Sequence, residues 1–240
     1  MFRTIYINTF IAIFTCFFAF LGLFTLIFVK NTKFTHFHIV IPWAKNILRV
    51  SGVRLRLKGI ENINLDQPCV FMANHQSSFD IFTLIAGLPV SFKFILKREL
   101  LKIPLFGLVL RKMHYIAIDR KNRAVAIKTI NKAVSILREG ESILIFPEGT
   151  RSRDGQLLPF KKGGFHLAIK SKCDIVPISI SGSREILRKK GTMKGKRTII
   201  MAIGRPVPVT VYSEDNITGL IDSVREAIIR HRVDLKGKER

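Results

Sequence analysis

One histidine and one aspartate, His75 and Asp80, stand five residues apart in Asn74-His75-Gln76-Ser77-Ser78-Phe79-Asp80. A carboxylate that holds one ring N–H of an imidazole fixes its tautomer. The other ring nitrogen can then take a proton from a hydroxyl. Five steps along a helix rotate a side chain by about 500°, so one continuous helix would not put the pair on the same face. A turn between them is required. The apolar run Cys69–Ala73 reads as a buried strand, and Ser78–Gly87 reads as a helix. His75 then sits at a strand exit, held rigidly and facing a cleft. The same residues carry a structural reading, because Ser77-x-x-Asp80 is a capping box opening that helix. The two readings are compatible, since a cap would also fix the carboxylate.

A second group is Phe146-Pro147-Glu148-Gly149-Thr150-Arg151-Ser152-Arg153, after the strand-like run Ser142–Phe146. Gly149 lets the backbone approach a ligand closely, and Arg151 and Arg153 offer guanidinium forks to a phosphate. Glu148 would pair with Arg151 or bond a substrate hydroxyl. Standing alone, the segment reads equally well as an exposed charged loop. Ile118-Asp119-Arg120 sets a further arginine at the end of the strand Tyr115–Ile118. Val176-Pro177-Ile178-Ser179-Ile180 is an apolar strand whose proline lacks a donor, which predicts an edge or a bulge. The six histidines show no convincing metal-ligand spacing, and no metal site is expected. There is no glycine-rich phosphate motif, and no Gly-x-Ser-x-Gly elbow for a serine nucleophile. Cys16, Cys69 and Cys173 lie far apart without a CxxC pattern, which predicts buried reduced thiols rather than disulfides.

These groups need a scaffold, and the hydrophobic pattern from about Lys58 onward supplies one. Strands are predicted at Val53–Lys58, Cys69–Ala73, Phe92–Leu96, Tyr115–Ile118, Ser142–Phe146, Ile175–Ile180 and Thr198–Ile203. Helices are predicted at Ser78–Gly87, Arg123–Glu139, Gly164–Ser171 and Glu214–Arg232, the last with Ser213 as N-cap. Such alternation predicts an α/β fold, a mixed β-sheet flanked by helices. The basic loop Arg184–Arg197 reads as exposed.

Ahead of this domain lies an N-terminal membrane-associated helical segment, residues 1–57, with 58–240 as the α/β domain. Thr4 to Val29 carries no charge. As a helix it is about 39 Å long, against a hydrocarbon core of about 30 Å. It is too long for a signal peptide and lacks a cleavage site. His36–Leu57 interleaves apolar residues with Lys45, Arg49, Arg54 and Arg56. Together with Trp43 this suits a basic amphipathic helix at headgroup depth; packing of the segment on the globular domain is the other reading.

The chain carries 40 Lys and Arg against 17 Asp and Glu, a formal net charge of +23. The first 60 residues hold eight basic and no acidic side chains. That field favours anionic partners. The positive-inside rule then puts the domain on the cytoplasmic side of the cell inner membrane.

Taken in order, NHQSSFD (Asn74–Asp80), KRELLKIPLFG (Lys97–Gly107), IDR (Ile118–Arg120), FPEGTRS (Phe146–Ser152), FKKGGFHLA (Phe160–Ala168) and VPISI (Val176–Ile180) resemble the glycerolipid acyltransferase family. The resemblance covers roughly residues 45–205. It implies a mixed α/β domain in which His75 and Asp80 deprotonate the free hydroxyl of a lysophosphatidic acid, and the oxygen attacks an acyl thioester directly. It implies that Arg120, Glu148 and Arg151 hold the glycerol-phosphate head, that Gly149 and Thr150 shape the loop, and that Lys97 and Arg153 assist. No cofactor is implied, because acyl-CoA or an acyl-carrier protein is a co-substrate. Membrane lipids are the expected surroundings. Another lysophospholipid or glycolipid acceptor is the alternative within the class. A non-enzymatic alternative is a membrane-tethered binder of anionic lipid or nucleic acid; the chain has no aromatic-and-basic stacking platform for a nucleic acid.

Overall fold

The computed structural model describes residues 2–118, 123–186 and 197–233. Asp119, Arg120 and most of the basic loop 184–197 lie outside these residues. The chain opens with α1 (Phe2–Phe28), α2 (Thr32–Thr35), a π-helical turn at His36–Val40, and α3 (Ile41–Val50). There follow β1 (Val53–Lys58), β2 (Val70–Ala73), α4 (Phe79–Gly87), β3 (Phe92–Lys97), α5 (Phe106–Lys112), β4 (Ile116–Ile118) and α6 (Arg123–Arg138). Then come β5 (Ser142–Ile145), α7 (Gly163–Ser171), β6 (Ile175–Ser181), β7 (Arg197–Ile203) and α8 (Ile217–Arg230).

Among the described residues the strands form one seven-stranded sheet in the order β1-β7-β6-β2-β5-β3-β4. The β6–β7 pairing is antiparallel and the others are parallel. This is the predicted mixed α/β sheet, and strand alternation explains its two-sided burial. In β2, Phe71 and Ala73 face one apolar cluster with Leu48, Phe79 and Leu84, from α3 and α4. Val70 and Met72 face the other with Leu137, Phe165 and Val224, from α6, α7 and α8. Apolar side chains on both faces of a strand are what a parallel sheet covered on both faces requires.

Pro177 does not mark an edge, the first of the two expected alternatives. β6 is an interior strand, between β2 and β7. The Pro177 carbonyl accepts a hydrogen bond from Gly204 N–H at 2.8 Å. A residue's N–H and C=O point to the same side of a strand, so the missing donor also faces the Gly204 side. There the β6–β7 ladder has already ended at Ile178–Ile203. The proline thus sits at an interruption of the β6–β7 pairing, between Ile178–Ile203 and the Ile175–Val207 bridge, where two residues oppose three as in a bulge.

At the other end of the chain, Lys30 adopts φ 54° and terminates α1. Asn31 then caps α2 by accepting from Phe34 N–H at 2.9 Å. α1 folds back along α3 and α5, burying Ile7, Ala19 and Leu26. Its outer face exposes Ile13, Phe17, Phe20, Phe24 and Phe28. α1 contains a stretch, Thr4–Phe28, long and apolar enough to cross a membrane.

Trp43 fits the packing alternative for this segment. Its indole N–H donates to Thr15 Oγ1 at 3.1 Å, and its ring meets Phe82 and Phe106. The α3 tryptophan is therefore inter-helix packing, while Lys45 and Arg49 face out. β1 crosses the 57/58 division expected between segment and domain and pairs with β7 along its length. The sequence signal missed α5, a seven-residue helix within a Leu-rich stretch broken by Pro104.

Candidate active site

The motif segments converge because they leave the same end of neighbouring parallel strands. β2, β5, β3 and β4 are adjacent in the sheet. Asn74–Asp80 follows the C-terminal end of β2, and Phe146–Arg153 follows that of β5. Lys97 closes β3, and Ile118 closes β4. The C-terminal ends of parallel strands are where α/β sheets bind ligands.

At that edge His75 Nδ1 lies 2.8 Å from Asp80 Oδ2. The same oxygen accepts from Gln76 N–H at 2.7 Å and from Ser77 N–H at 2.8 Å. Ser77 Oγ in turn accepts from Phe79 N–H at 3.3 Å. Only the Asp80-to-Ser77 half of the expected capping box forms, since the helix N-cap is Ser78 and makes no side-chain cap bond; that half coexists with the imidazole–carboxylate pair, and Asp80 is wholly buried. An acceptor-only carboxylate on Nδ1 puts the proton there and leaves the Nε2 lone pair free. The imidazole also stacks on Phe146, with ring centroids 3.9 Å apart and planes 15° apart.

The two motif loops are bonded through the His75 backbone. Its N–H donates to Glu148 Oε1 at 2.6 Å, and its carbonyl accepts from Ser152 N–H at 2.8 Å. Arg151 Nη1 donates to Ser78 Oγ at 2.9 Å. Asn74, the residue before His75, is itself tied to β6. Its amide donates to the Ile180 carbonyl at 3.0 Å and accepts from Ile180 N–H at 2.7 Å. Gly149 adopts φ 72°, and a Cβ there would meet the Lys161 side chain at 3.0–3.3 Å. Its lack of a side chain lets that lysine lie across the loop.

A cavity of about 710 Å³ opens beside His75. One end is polar, with Lys97, Thr150, Arg151 and Lys161, and no acidic residue is among the described residues that line it. The remainder is apolar and runs between the sheet and the N-terminal helices, where Phe18, Trp43 and Phe106 contribute. It can take a long apolar chain with an anionic end beside the imidazole.

Of the residues picked out by sequence, His75, Lys97, Gly149, Thr150 and Arg151 line this cavity, and Asp80 lies behind His75. Lys97 is exposed and pairs with Glu99 at 3.3 Å. Arg153 is exposed but is not among the lining residues. Glu148 bonds two backbone N–H groups, and Arg151, the first of its expected partners, bonds Ser78 instead. The glutamate is 2% exposed, and Oε2 accepts from Leu158 N–H at 2.8 Å while Oε1 takes His75 N–H. Burial pushes its carboxyl above the ordinary carboxylate range, opposed by those two N–H groups. Arg120 lies outside the described residues. Asn74, Ser78 and Lys161 were not picked out for roles at the site. Their signal lay only in membership of the quoted motifs; for Asn74, a backbone partner 106 residues away leaves no local pattern.

A parallel-rich sheet with polar loops gathered at one end and an apolar cavity beneath them defines a lipid-handling α/β enzyme. The family model described as Acyltransferase matches residues 54–181, and this chain belongs to that family. The chain is 35% identical over 179 residues to 1-acyl-sn-glycerol-3-phosphate acyltransferase alpha of Homo sapiens, covering 74% of this chain and 63% of that one. It is 36% identical over 165 residues to the chloroplastic 1-acyl-sn-glycerol-3-phosphate acyltransferase BAT2 of Brassica napus, covering 68% and 47%. The chain thus spans about half to two thirds of the length of these curated relatives. Among solved structures, the 1-acyl-sn-glycerophosphate (LPA) acyltransferase PlsC of Thermotoga maritima superposes with a TM-score of 0.82 at 26% identity. That match covers 99% of this chain and 97% of the other.

Proposed function

We propose that this chain is a 1-acyl-sn-glycerol-3-phosphate acyltransferase. It moves a fatty acyl group from a thioester of coenzyme A or acyl-carrier protein to the sn-2 hydroxyl of 1-acylglycerol-3-phosphate, giving phosphatidic acid. The observation that carries the reading is the His75–Asp80 pair, 2.8 Å apart, at the cationic end of an apolar cavity. His75 Nε2 takes the hydroxyl proton as the acceptor oxygen attacks the thioester carbonyl carbon. The tetrahedral intermediate collapses, the C–S bond breaks, and the thiolate leaves with the proton returned by His75. Asp80 keeps the ring oriented and stabilises the transient imidazolium. A positioned base contributes typically about 10²–10⁴-fold. Arg151 and Lys97, joined by Arg120, receive the acceptor phosphate. Residues 1–57 hold the domain on the cytoplasmic face of the inner membrane, among membrane lipids.

The test is purified full-length protein with labelled acyl-CoA or acyl-carrier protein and a panel of lysolipids. Label should appear in phosphatidic acid when lysophosphatidic acid is offered, and far more slowly in other products. Faster transfer to a neutral lysolipid or a glycolipid would overturn the acceptor, and transfer to none would overturn the reaction.

A further inference from the structure

We propose that Glu148 is a positioning residue that clamps the His75 backbone and so sets where the imidazole points, rather than a ligand of the acyl acceptor. The inference rests on the reading of His75 as the base. A carboxylate has two oxygens and no donor, and here both are occupied from below the cleft. Oε1 takes the N–H of His75, 73 residues away in sequence, and Oε2 takes that of Leu158, ten residues away. Lys161 N–H donates to the Pro147 carbonyl at 2.9 Å, closing the loop around Glu148. The side chain is 2% exposed, and the cavity walls pass on either side of it, at Pro147 and at Gly149. Ser152 N–H holds the His75 carbonyl from the same loop. The β5 loop therefore grips both backbone polar groups of the residue that carries the base. The imidazole itself is fixed at Nδ1 by Asp80 and at its face by Phe146. Those contacts orient the ring relative to the β2 loop, whereas Glu148 registers the β2 loop against the β5 loop, which carries Arg151. A ligand role predicts a carboxylate turned toward the hydroxyl, and a clamp predicts one spent on backbone donors, as it is.

Glutamine at 148 has one acceptor and one donor. It can hold one of the two N–H groups but sets its own NH₂ against the other. The test compares wild type, Glu148→Gln, Glu148→Asp and His75→Ala, purified in detergent and normalised to folded protein. With Glu148→Gln, kcat should fall about a hundredfold, the scale of an ångström-sized misplacement. The KM for lysophosphatidic acid should stay within about twofold. Histidine labelled with ¹⁵N should report a changed His75 Nδ1–H resonance. Glu148→Asp keeps the charge but shortens the reach, and should lose kcat less, again with KM unmoved; it carries the same test if the glutamine variant does not fold. A raised acceptor KM with kcat and the His75 resonance preserved would overturn the clamp in favour of a ligand. So would wild-type kinetics in both variants. If His75→Ala retains turnover, the base assignment fails instead, which separates the two failures.

Discussion

At Asp80 a single oxygen, Oδ2, accepts from one imidazole and two backbone N–H groups, while Oδ1 is buried without a partner. Asparagine can place its lone oxygen where Oδ2 sits and keep all three bonds, so Asp80→Asn should fold and keep the cap. It cannot supply the negative charge that an imidazolium needs. Turnover should fall by about two orders of magnitude or more with little change in thermal midpoint, and near-wild-type turnover would remove Asp80 from the mechanism. Arg151 makes a different prediction. Lysine keeps the charge and loses the fork, so Arg151→Lys should raise the KM for lysophosphatidic acid by about tenfold and leave that of the thioester unchanged. Movement of the thioester KM alone would place the phosphate elsewhere. The cysteines should be dispensable. Burial pushes the Cys69 thiol up to about 12, far from a thiolate. Cys16 lies exposed on α1, contrary to the expected burial. Chemical quench of a variant with all three replaced should show retained turnover, and acylated cysteine trapped in wild type would contradict direct transfer.

Among the elements, the link between the π-helical turn and β3 has its own pH signature. His36 is 1% exposed with both ring nitrogens unpartnered, and its ring meets Phe92 edge-on. Burial, with Lys93 nearby, lowers its pKa from 6.5 to about 4. The unfolded chain therefore takes up a proton first as pH falls. The stabilisation is complete above about 6.5 and is lost between there and about 4, on the order of 3 kcal/mol in all. Thermal midpoints of wild type should drop over that window and those of His36→Leu should drop less; parallel curves would contradict this.

The elements themselves were largely legible from sequence. Strand patterns matched to within a residue or so because each buried strand is a short apolar run with polar ends, as in β2 and β5. α8 begins at Ile217, after Asn216, rather than near Ser213, because the intervening acidic residues form turns. The dyad was legible because its two members are local. The inward turn of Glu148 was not, because its partners are backbone groups brought together only by the order of β2 and β5 in the sheet.

In the whole molecule α1 is both long and apolar enough to cross a membrane and part of the wall of the cavity. Thr15, Phe18, Ala19 and Gly22 of α1 line the same cavity as His75. Removing residues through Val29 should weaken vesicle co-sedimentation. It should also lower turnover on a short-chain, water-soluble acceptor several-fold or more, since the cavity loses a wall and Trp43 loses its partner. Unchanged turnover on that acceptor would make α1 an anchor alone. The +23 charge acts at the same scale: it favours anionic partners of any kind, an effect that salt should weaken. All of this depends on His75 acting as the base. The most direct measurement is formation of phosphatidic acid from labelled acyl thioester and lysophosphatidic acid by purified His75→Ala beside wild type, with acceptor binding measured separately. Turnover should fall about 10²–10⁴-fold with acceptor affinity retained, and turnover within a few-fold of wild type would contradict it.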